Sequence, residues 1–471
     1  MDGLECSEIN RSELERTLRI DSEFYSKSAI KVSDMLQSRS HDLLTTFVNV
    51  SDGNHMGISD YFIDEGVPYY RGQDAGAFFI ENSNPICIDE KTFELPVMKR
   101  SHLKKGDVIL SIVGTIGSLS LVYSDKSATC SCKLAILRPK EGKNAELLAT
   151  FLRGKYGQAQ ITRFTRGAVQ KGLILEDMDQ LVVPVFGDGI VEAIRNAIQS
   201  AYQIQEKANN CYREAQRTLV NSVGSISVPA ESVSVRNIST SFYTTGRLDA
   251  EYYQPKYDAL FTALSTIKTK KLGGAHGIVN IEKSIEPGSE VYVEDGIPFV
   301  RVSDVSKFEI SEPEVKLRND ILPNPEVLFP QKDTILLSKD GSVGIAYKTE
   351  STMPVITSGA LLHLTVRNKA EVLPDYLTLV LNSPIVQLQA ERDSNGAIIQ
   401  HWKPSEIENV IIPVLDMDIQ KEIATKVQES FALRKQSKQL LEYAKQAVEM
   451  AIEQSEDMAL KWLKDKIPVE V

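Results

Sequence analysis

Leu18-Arg19-Ile20-Asp21-Ser22-Glu23-Phe24-Tyr25 and Arg247-Leu248-Asp249-Ala250-Glu251-Tyr252-Tyr253 are one phrase written twice, with Asp21 answering to Asp249. Working outward, four further phrases recur in the same order. Gly66-Val67-Pro68-Tyr69-Tyr70-Arg71 returns as Gly296-Ile297-Pro298-Phe299-Val300-Arg301, and Asp107-Val108-Ile109-Leu110-Ser111 as Asp333-Thr334-Ile335-Leu336-Leu337-Ser338. Gly114-Thr115-Ile116-Gly117 returns as Gly341-Ser342-Val343-Gly344, and Val182-Val183-Pro184-Val185 as Ile411-Ile412-Pro413-Val414. The offset between copies hardly drifts. A period this long means two whole domains, because solenoid repeats run only about 20–50 residues. Two copies of one surface favour isologous packing, so a pseudo-twofold molecule with two similar binding faces is expected.

The chain has 471 residues, 42% of them hydrophobic and 25% charged, the composition of a globular protein with room for more than one core. No run reaches the roughly 18 apolar residues of a membrane span, and Met1-Asp2-Gly3-Leu4-Glu5-Cys6 is not a basic, apolar leader, so a cytoplasmic protein with no membrane contact is expected. The five cysteines include one C-x-C pair and no C-x-x-C, which signals neither a disulfide framework nor a zinc cluster. A net charge of −11 argues against binding nucleic acid by bulk attraction, though not against a basic face on an acidic body.

Each repeat opens with a short helical, acidic-aromatic segment. Residues 54–140 and 275–368 then read as β-rich, and 145–178 and 372–407 as helical, which makes each repeat α+β. In the stretch 103–123 a continuous apolar strand meets a glycine turn and a second, alternating strand, the pattern of a hairpin. Residues 190–222 contain no glycine or proline, and Ile194, Ala197, Ala201, Ile204, Ala208, Cys211 and Ala215 fall on three- and four-residue steps. From about 419 to 452 the spacing recurs at Ile423, Val427, Ser430, Arg434, Leu441, Ala444, Val448 and Ala451. Two rods of roughly 50 Å are implied, pairing antiparallel as a coiled coil. Two amphipathic helices lying on their own domains are the alternative.

Catalytic constellations are missing. There is no G-x-x-x-x-G-K-[ST], no H-E-x-x-H and no G-x-S-x-G, and Asn84-Pro85-Ile86 lacks the second proline and aromatic residue with which an amino-methyltransferase grips a base. Gly114-Thr115-Ile116-Gly117 is too short for a dinucleotide fingerprint. It reads instead as a turn bringing Thr115, and in the other copy Lys339 and Ser342, close to a partner, or as a structural turn with no ligand. Arg71, Gln73 and Asp74 follow one Gly-x-Pro strand, and Arg301, Ser303 and Asp304 the other. These side-chain types suit base edges, while a surface polar network is the plainer reading. Arg163, Arg166, Gln170 and Lys171 surround Gly167-Ala168, as Arg392, Gln400 and Lys403 surround Gly396-Ala397. Two such basic, amide-bearing loops suit a phosphate backbone with some base readout.

The ordered, duplicated set resembles the specificity subunit of a type I restriction-modification system. The R-L-D-A-E-Y-Y opening, the G-x-P-[YF]-x-R strand, the G-T-I-G turn, the G-A-V-Q loop, the closing [VI]-P-V and the following heptad helix carry that resemblance over nearly the whole chain. It implies a first target-recognition domain at 1–189, a spacer helix at 190–224, a second target-recognition domain at 225–415, and a second spacer helix with a tail at 416–471. It also implies a non-catalytic chain that reads a bipartite site in double-stranded DNA. Two copies of a modification subunit would supply S-adenosylmethionine chemistry, and restriction subunits ATP- and Mg-dependent translocation and cleavage. A recognition partner for a fused restriction-methylation or other phage-defence enzyme, and a scaffold that never meets DNA, are the competing readings.

Overall fold

The computed structural model describes residues 6–80, 85–167, 171–224, 233–396 and 399–467. It forms two compact units, one of residues 1–205 with 434–471 and the other of residues 206–433.

The first unit carries β1 (His41–Leu43), β2 (Val48–Asp52), β3 (Phe62–Ile63), β4 (Val67–Tyr70), β5 (Cys87–Ile88), β6 (Val108–Ser111), β7 (Leu119–Leu121), β8 (Thr129–Cys130), β9 (Leu134–Pro139) and β10 (Val182–Pro184). The second carries β11 (Thr269–Lys271), β12 (Val279–Lys283), β13 (Tyr292–Val293), β14 (Ile297–Val300), β15 (Lys316–Leu317), β16 (Ile335–Ser338), β17 (Ala346–Lys348), β18 (Ile356–Thr357), β19 (Leu361–Val366) and β20 (Ile411–Pro413). Strand for strand, the topology is the same. Sheets β2-β9-β6-β7, β3-β5-β4-β8 and β1-β10 recur as β12-β19-β16-β17, β13-β15-β14-β18 and β11-β20. Even the mixed sheet keeps its single parallel pairing, Tyr69 and Tyr70 against Thr129 and Cys130, then Phe299 and Val300 against Ile356 and Thr357.

The expected hairpin is β6–β7, with Ile109 opposite Ser120. Strands β6 and β16 are buried along their whole length, which is why they read as unbroken apolar runs. The hairpins also correct the alignment of the repeats. Gly106 at φ +90° and Asp333 at φ +66° hold the same left-handed position before the strand. Gly106 N–H donates to the Val122 carbonyl and Asp333 N–H to that of Thr349. Asp107 therefore answers to Thr334, not to Asp333, and the copies align without a gap here. Glycine fills that position in one copy, and aspartate, which tolerates it better than most residues, in the other.

Two helices follow the sheets in each unit, Ala145–Arg153 with Lys155–Phe164, and Pro374–Leu381 with Pro384–Asp393. A buried glutamine on each second helix completes the closing strand. Gln160 Oε1 accepts from Val182 N–H and its Nε2 donates to the Val182 carbonyl; Gln389 does both to Ile411. Residues 165–167 and 171–174, expected to be helical, are loop apart from isolated bridges, and Leu175–Gln180 is a 3-10 helix. Thr165, extended at ψ 138°, ends the helix after Phe164.

The long helices run Asp188–Val223, 36 residues, and Met417–Glu453, 37 residues, each about 55 Å long. They pair antiparallel. In the first unit Ser437 Oγ donates to the Ala201 carbonyl at 2.8 Å; in the second Ser430 Oγ donates to the Ala208 carbonyl at 2.7 Å. Ala197, Ala201, Ala208 and Ala215 are buried on one helix and Ala444, Ala447 and Ala451 on the other, and such small side chains let backbones approach closely. Both helices also donate to the globular cores, Ile190, Ile194 and Ile198 to one, Leu219, Ile423 and Val427 to the other. The seam and the amphipathic packing on the domains are thus both present.

Candidate functional site

Three segments that are far apart in sequence meet in the first unit. Strand β4 delivers Arg71 to a 3-10 turn, Gly72–Asp74, closed by the Arg71 N–H donating to Asp74 Oδ2 at 2.7 Å. The turn after β6 leans on it: Thr115 Oγ1 donates to the Gly72 carbonyl at 2.9 Å and lies 3.1 Å from Ser111 Oγ. A Cβ on Gly72 would lie 3.1 Å from Ser111 Oγ, so glycine is what lets these two turns touch. In the third segment Arg166 and Gly172 exchange both backbone hydrogen bonds, and Leu173 N–H then donates to the Ile112 carbonyl.

The second unit repeats the design with different links. Arg301 N–H donates to Asp304 Oδ2 at 2.7 Å. The turn after β16 is fastened to the third segment by Gly341 N–H donating to the Gln400 carbonyl and Trp402 N–H to that of Lys339. His401 Nδ1 lies 2.7 Å from Asp340 Oδ1. Burial raises the Asp340 carboxyl, but hydrogen bonds from Lys339 and His401 outweigh it and hold the group below the usual aspartate range.

Sequence inspection missed the clamp behind each turn. Gln158 Nε2 donates to the carbonyls of Gly117 and Leu152, and Gln387 Nε2 to those of Gly344 and Leu381. Gly117 at φ +88° and Gly344 at φ +86° are the residues so held. A Cβ there would come within 2.7 Å of Gln158 Oε1 and 2.9 Å of Gln387 Nε2. The second glycine of each G-[TS]-[IV]-G phrase serves this clamp, and the repetition of Gln158 as Gln387 was the signal available.

The fourteen residues singled out do not all face outward with free charge. Arg166 is tied to Asp177 at 2.7 Å, and Arg392 to Asp393 at 2.7 Å. Arg163 stacks on Phe24 with its guanidinium 4.3 Å from the ring centre while Nε donates to the Phe24 carbonyl, and burial lowers its pKa. Lys339 is ion-paired with Asp340 and largely buried. These cations shape the loops. Arg71 and Arg301 remain half-exposed, 3.5 and 3.8 Å from their aspartates. Gln73, Thr115, Lys171, Ser303, Ser342, Gln400 and Lys403 are exposed. Lys171 lies 3.4 Å from Glu23, and Lys403 3.5 Å from Glu406. Gln170 lies outside the described residues, as do Ala168, Val169, Ala397 and Asn84.

Each cluster is therefore a rigid rim of turns presenting amides, hydroxyls and a few cations. Among the described residues no group of three or more His, Cys, Asp or Glu is placed to hold a metal ion, and no helix is long and apolar enough to cross a membrane. All five cysteines are free thiols. The turns at 114–117 and 341–344 lead into strands, not into a helix whose N-terminus would receive a phosphate.

Residues 265–443 match the family model of the type I restriction modification DNA specificity domain. No curated protein matches the chain in sequence. Solved structures similar to it include the type I restriction-modification system S subunit from M. genitalium, at 15% identity over 90% of this chain and 95% of that one, with a TM-score of 0.36. The HsdS subunit from Thermoanaerobacter tengcongensis aligns at 14% identity over 88% and 96% of the two chains, with a TM-score of 0.29. A chain from a study of complex assembly and conformational transition of the type I R-M system aligns at 14% identity over 88% and 97%, with a TM-score of 0.30. Over residues 265–443 the family match bears out the resemblance read from the repeated phrases.

Proposed function

We propose that this chain, whose second repeat carries the type I restriction-modification DNA specificity domain, is the DNA-addressing subunit of such a system. The observation that carries the reading is the matched strand order of the two units: what the family model finds at 265–443 is repeated, sheet by sheet, in the unit that precedes it. Two copies of one recognition fold with different loop chemistry suit a site made of two different half-sequences. In each unit the rim of turns would enter the groove. Gln73 and Gln400 suit adenine, Arg71 and Arg301 guanine, and Lys171 and Lys403 the phosphates. The paired helices would fix the spacing, since half-sites on one face of B-DNA lie about 34 Å apart per helical turn, within the reach of rods about 55 Å long.

The chain itself is proposed to be non-catalytic and cytoplasmic. Two modification subunits would bring S-adenosylmethionine and turn the target base out of the stack, and restriction subunits would bring ATP and Mg. This division of labour fits a molecule whose sites are turns held by glutamines and glycines.

The test is binding to duplex DNA as the assembled complex. Affinity for the cognate site should fall by orders of magnitude between about 50 and 200 mM salt. Little affinity at either salt would favour the scaffold reading. Deleting one heptad from each long helix should change the spacer and leave both half-sites as they were; altered half-sites with an unchanged spacer would refute the ruler.

A further inference from the structure

The repeated opening phrase packs against the start of the third segment in each repeat, and its geometry is unusual. Arg19 Nε and Nη2 donate to the two carboxylate oxygens of Asp21, at 2.8 and 3.1 Å. The same guanidinium donates to the Thr165 carbonyl at 3.3 Å and lies 4.4 Å from the centre of the Phe24 ring. In the other repeat Arg247 forks onto Asp249, donates to the Asp393 carbonyl at 3.3 Å and lies 4.4 Å from the Tyr252 ring. A second arginine stacks on each ring as well, Arg163 at 4.3 Å and Arg392 at 5.0 Å.

The arginine and the aspartate are locked, yet the apolar residue between them is thrown into solvent. Ile20 is 85% exposed and Leu248 74%. The residue that leads into the clamp is left-handed in both copies, Gly246 at φ +72° with its N–H on the Phe242 carbonyl and Leu18 at φ +56° with its N–H on that of Glu15. Glycine adopts that conformation at no cost; a leucine there is strained, and strain of this kind persists only where the surroundings impose it. Each knob is followed by an aspartate one residue on, held by the clamp arginine, and an exposed glutamate three residues on: Asp21 and Glu23, the latter 3.4 Å from Lys171, then Asp249 and Glu251.

The reading turns differ between repeats, as different half-sites require, whereas the knob, its clamp and its acidic rim are the same twice. Its counterpart must then be the same in both repeats. Carboxylates beside the knob oppose a phosphate backbone and suit an apolar pocket bordered by lysines or arginines. We propose that Ile20 and Leu248 are equivalent docking knobs for two copies of one protein, the modification subunit, each seated next to the third segment of its repeat. This rests on the proposed function and names the residues through which that partner is engaged.

The experiment uses the full chain co-expressed with its companion modification subunit and follows the complex by native mass spectrometry. Both side chains are in water, so Ile20→Asp and Leu248→Asp should melt like the parent chain. Each single variant is expected to drop the complex from two modification subunits to one, and the double variant to weaken capture by both repeats at least tenfold. Leu18→Gly, which installs the residue of the other repeat and leaves the knob in place, should keep two. Two subunits retained at parental affinity in the double variant would overturn the proposal. So would intact stoichiometry with reduced DNA affinity, which would put the knobs on DNA. A parent chain that captures no modification subunit at all would contradict the proposed function, and this inference with it.

Discussion

The two repeats share every strand pairing, yet they solve the same interior with different chemistry. Around the β6–β9 pair of the first unit the central contacts are apolar: Ile109 faces Ile136, and Cys130 sits buried nearby on β8. The matching positions of the second hold Leu336, His363 and Thr357, with Thr357 Oγ1 and His363 Nε2 2.8 Å apart. Ion pairs have moved too. Buried Asp107 is forked by Arg138 at 2.7 and 2.6 Å in the first unit. In the second, Thr334 takes the place of Asp107, and buried Lys348 stands where Leu121 was, 3.3 Å from Asp375 and 2.9 Å from Glu350. Strand order is set by where apolar runs and turns fall, and these were kept. Which buried polar group answers which is a local matter that can be re-solved in each copy provided every charge keeps a partner.

The largest effect that separates the units should come from Lys348. Burial alone would lower its pKa, but Asp375 and Glu350 outweigh that and raise it, so the ammonium is held charged. Lys348→Ala leaves Asp375 without its cation and should cost the second unit about 3–5 kcal/mol. Hydrogen exchange should show the loss in β16, β17 and β19 and not in β6, β7 and β9. Equal loss in both units would dissolve the distinction.

Acid should separate them next. Burial depresses His363 from 6.5 to about 4, so as pH falls the unfolded chain takes up this proton before the folded one does. The second unit's stability is therefore whole above about pH 6.5 and declines down to about pH 4, by up to roughly 3 kcal/mol. Urea unfolding across that range, read by hydrogen exchange in each unit, should show the slope in the second unit alone. Thr357→Cys with His363→Ile, the pair found in the first, should remove it; a slope that survives the exchange assigns it elsewhere.

Smaller effects sharpen function rather than folding. Arg71→Ala and Arg301→Ala should each relax one half-site by about 1–3 kcal/mol if the side chain reads a base. Uniform weakening on all sequences would make that arginine a phosphate contact. Least of all, Ser430→Ala and Ser437→Ala each remove one seam hydrogen bond and should cost about 1 kcal/mol in their own units.

Much of this was legible in the chain. The duplicated phrases gave two α+β repeats, and the glycine-free, proline-free stretches gave two long helices. The G-[TS]-[IV]-G phrases marked the turns that do meet the third segment, because glycine at a positive φ leaves its trace in sequence. What was hidden depends on partners distant along the chain. Asp107 matched Asp333 by identity, and only the left-handed φ shared by Gly106 and Asp333 shows that the true counterparts are shifted by one residue. Arg166 reads as a cation for DNA because nothing nearby in sequence announces that Asp177 holds it, and Arg392 because adjacency to Asp393 does not reveal that the carboxylate turns back onto its Nε. Gln158 and Gln387 look like ordinary helix residues until their amides are seen on the turn carbonyls.

The central claim is that each repeat addresses its own half of one DNA site. Methylome sequencing of cells expressing the modification subunit with this chain tests it most directly, comparing the parent with a variant in which residues 394–403 are replaced. The account predicts that one half of the methylated sequence changes while the other half and the spacer stay fixed. Coordinate change of both halves, or none with methylation intact, would contradict it.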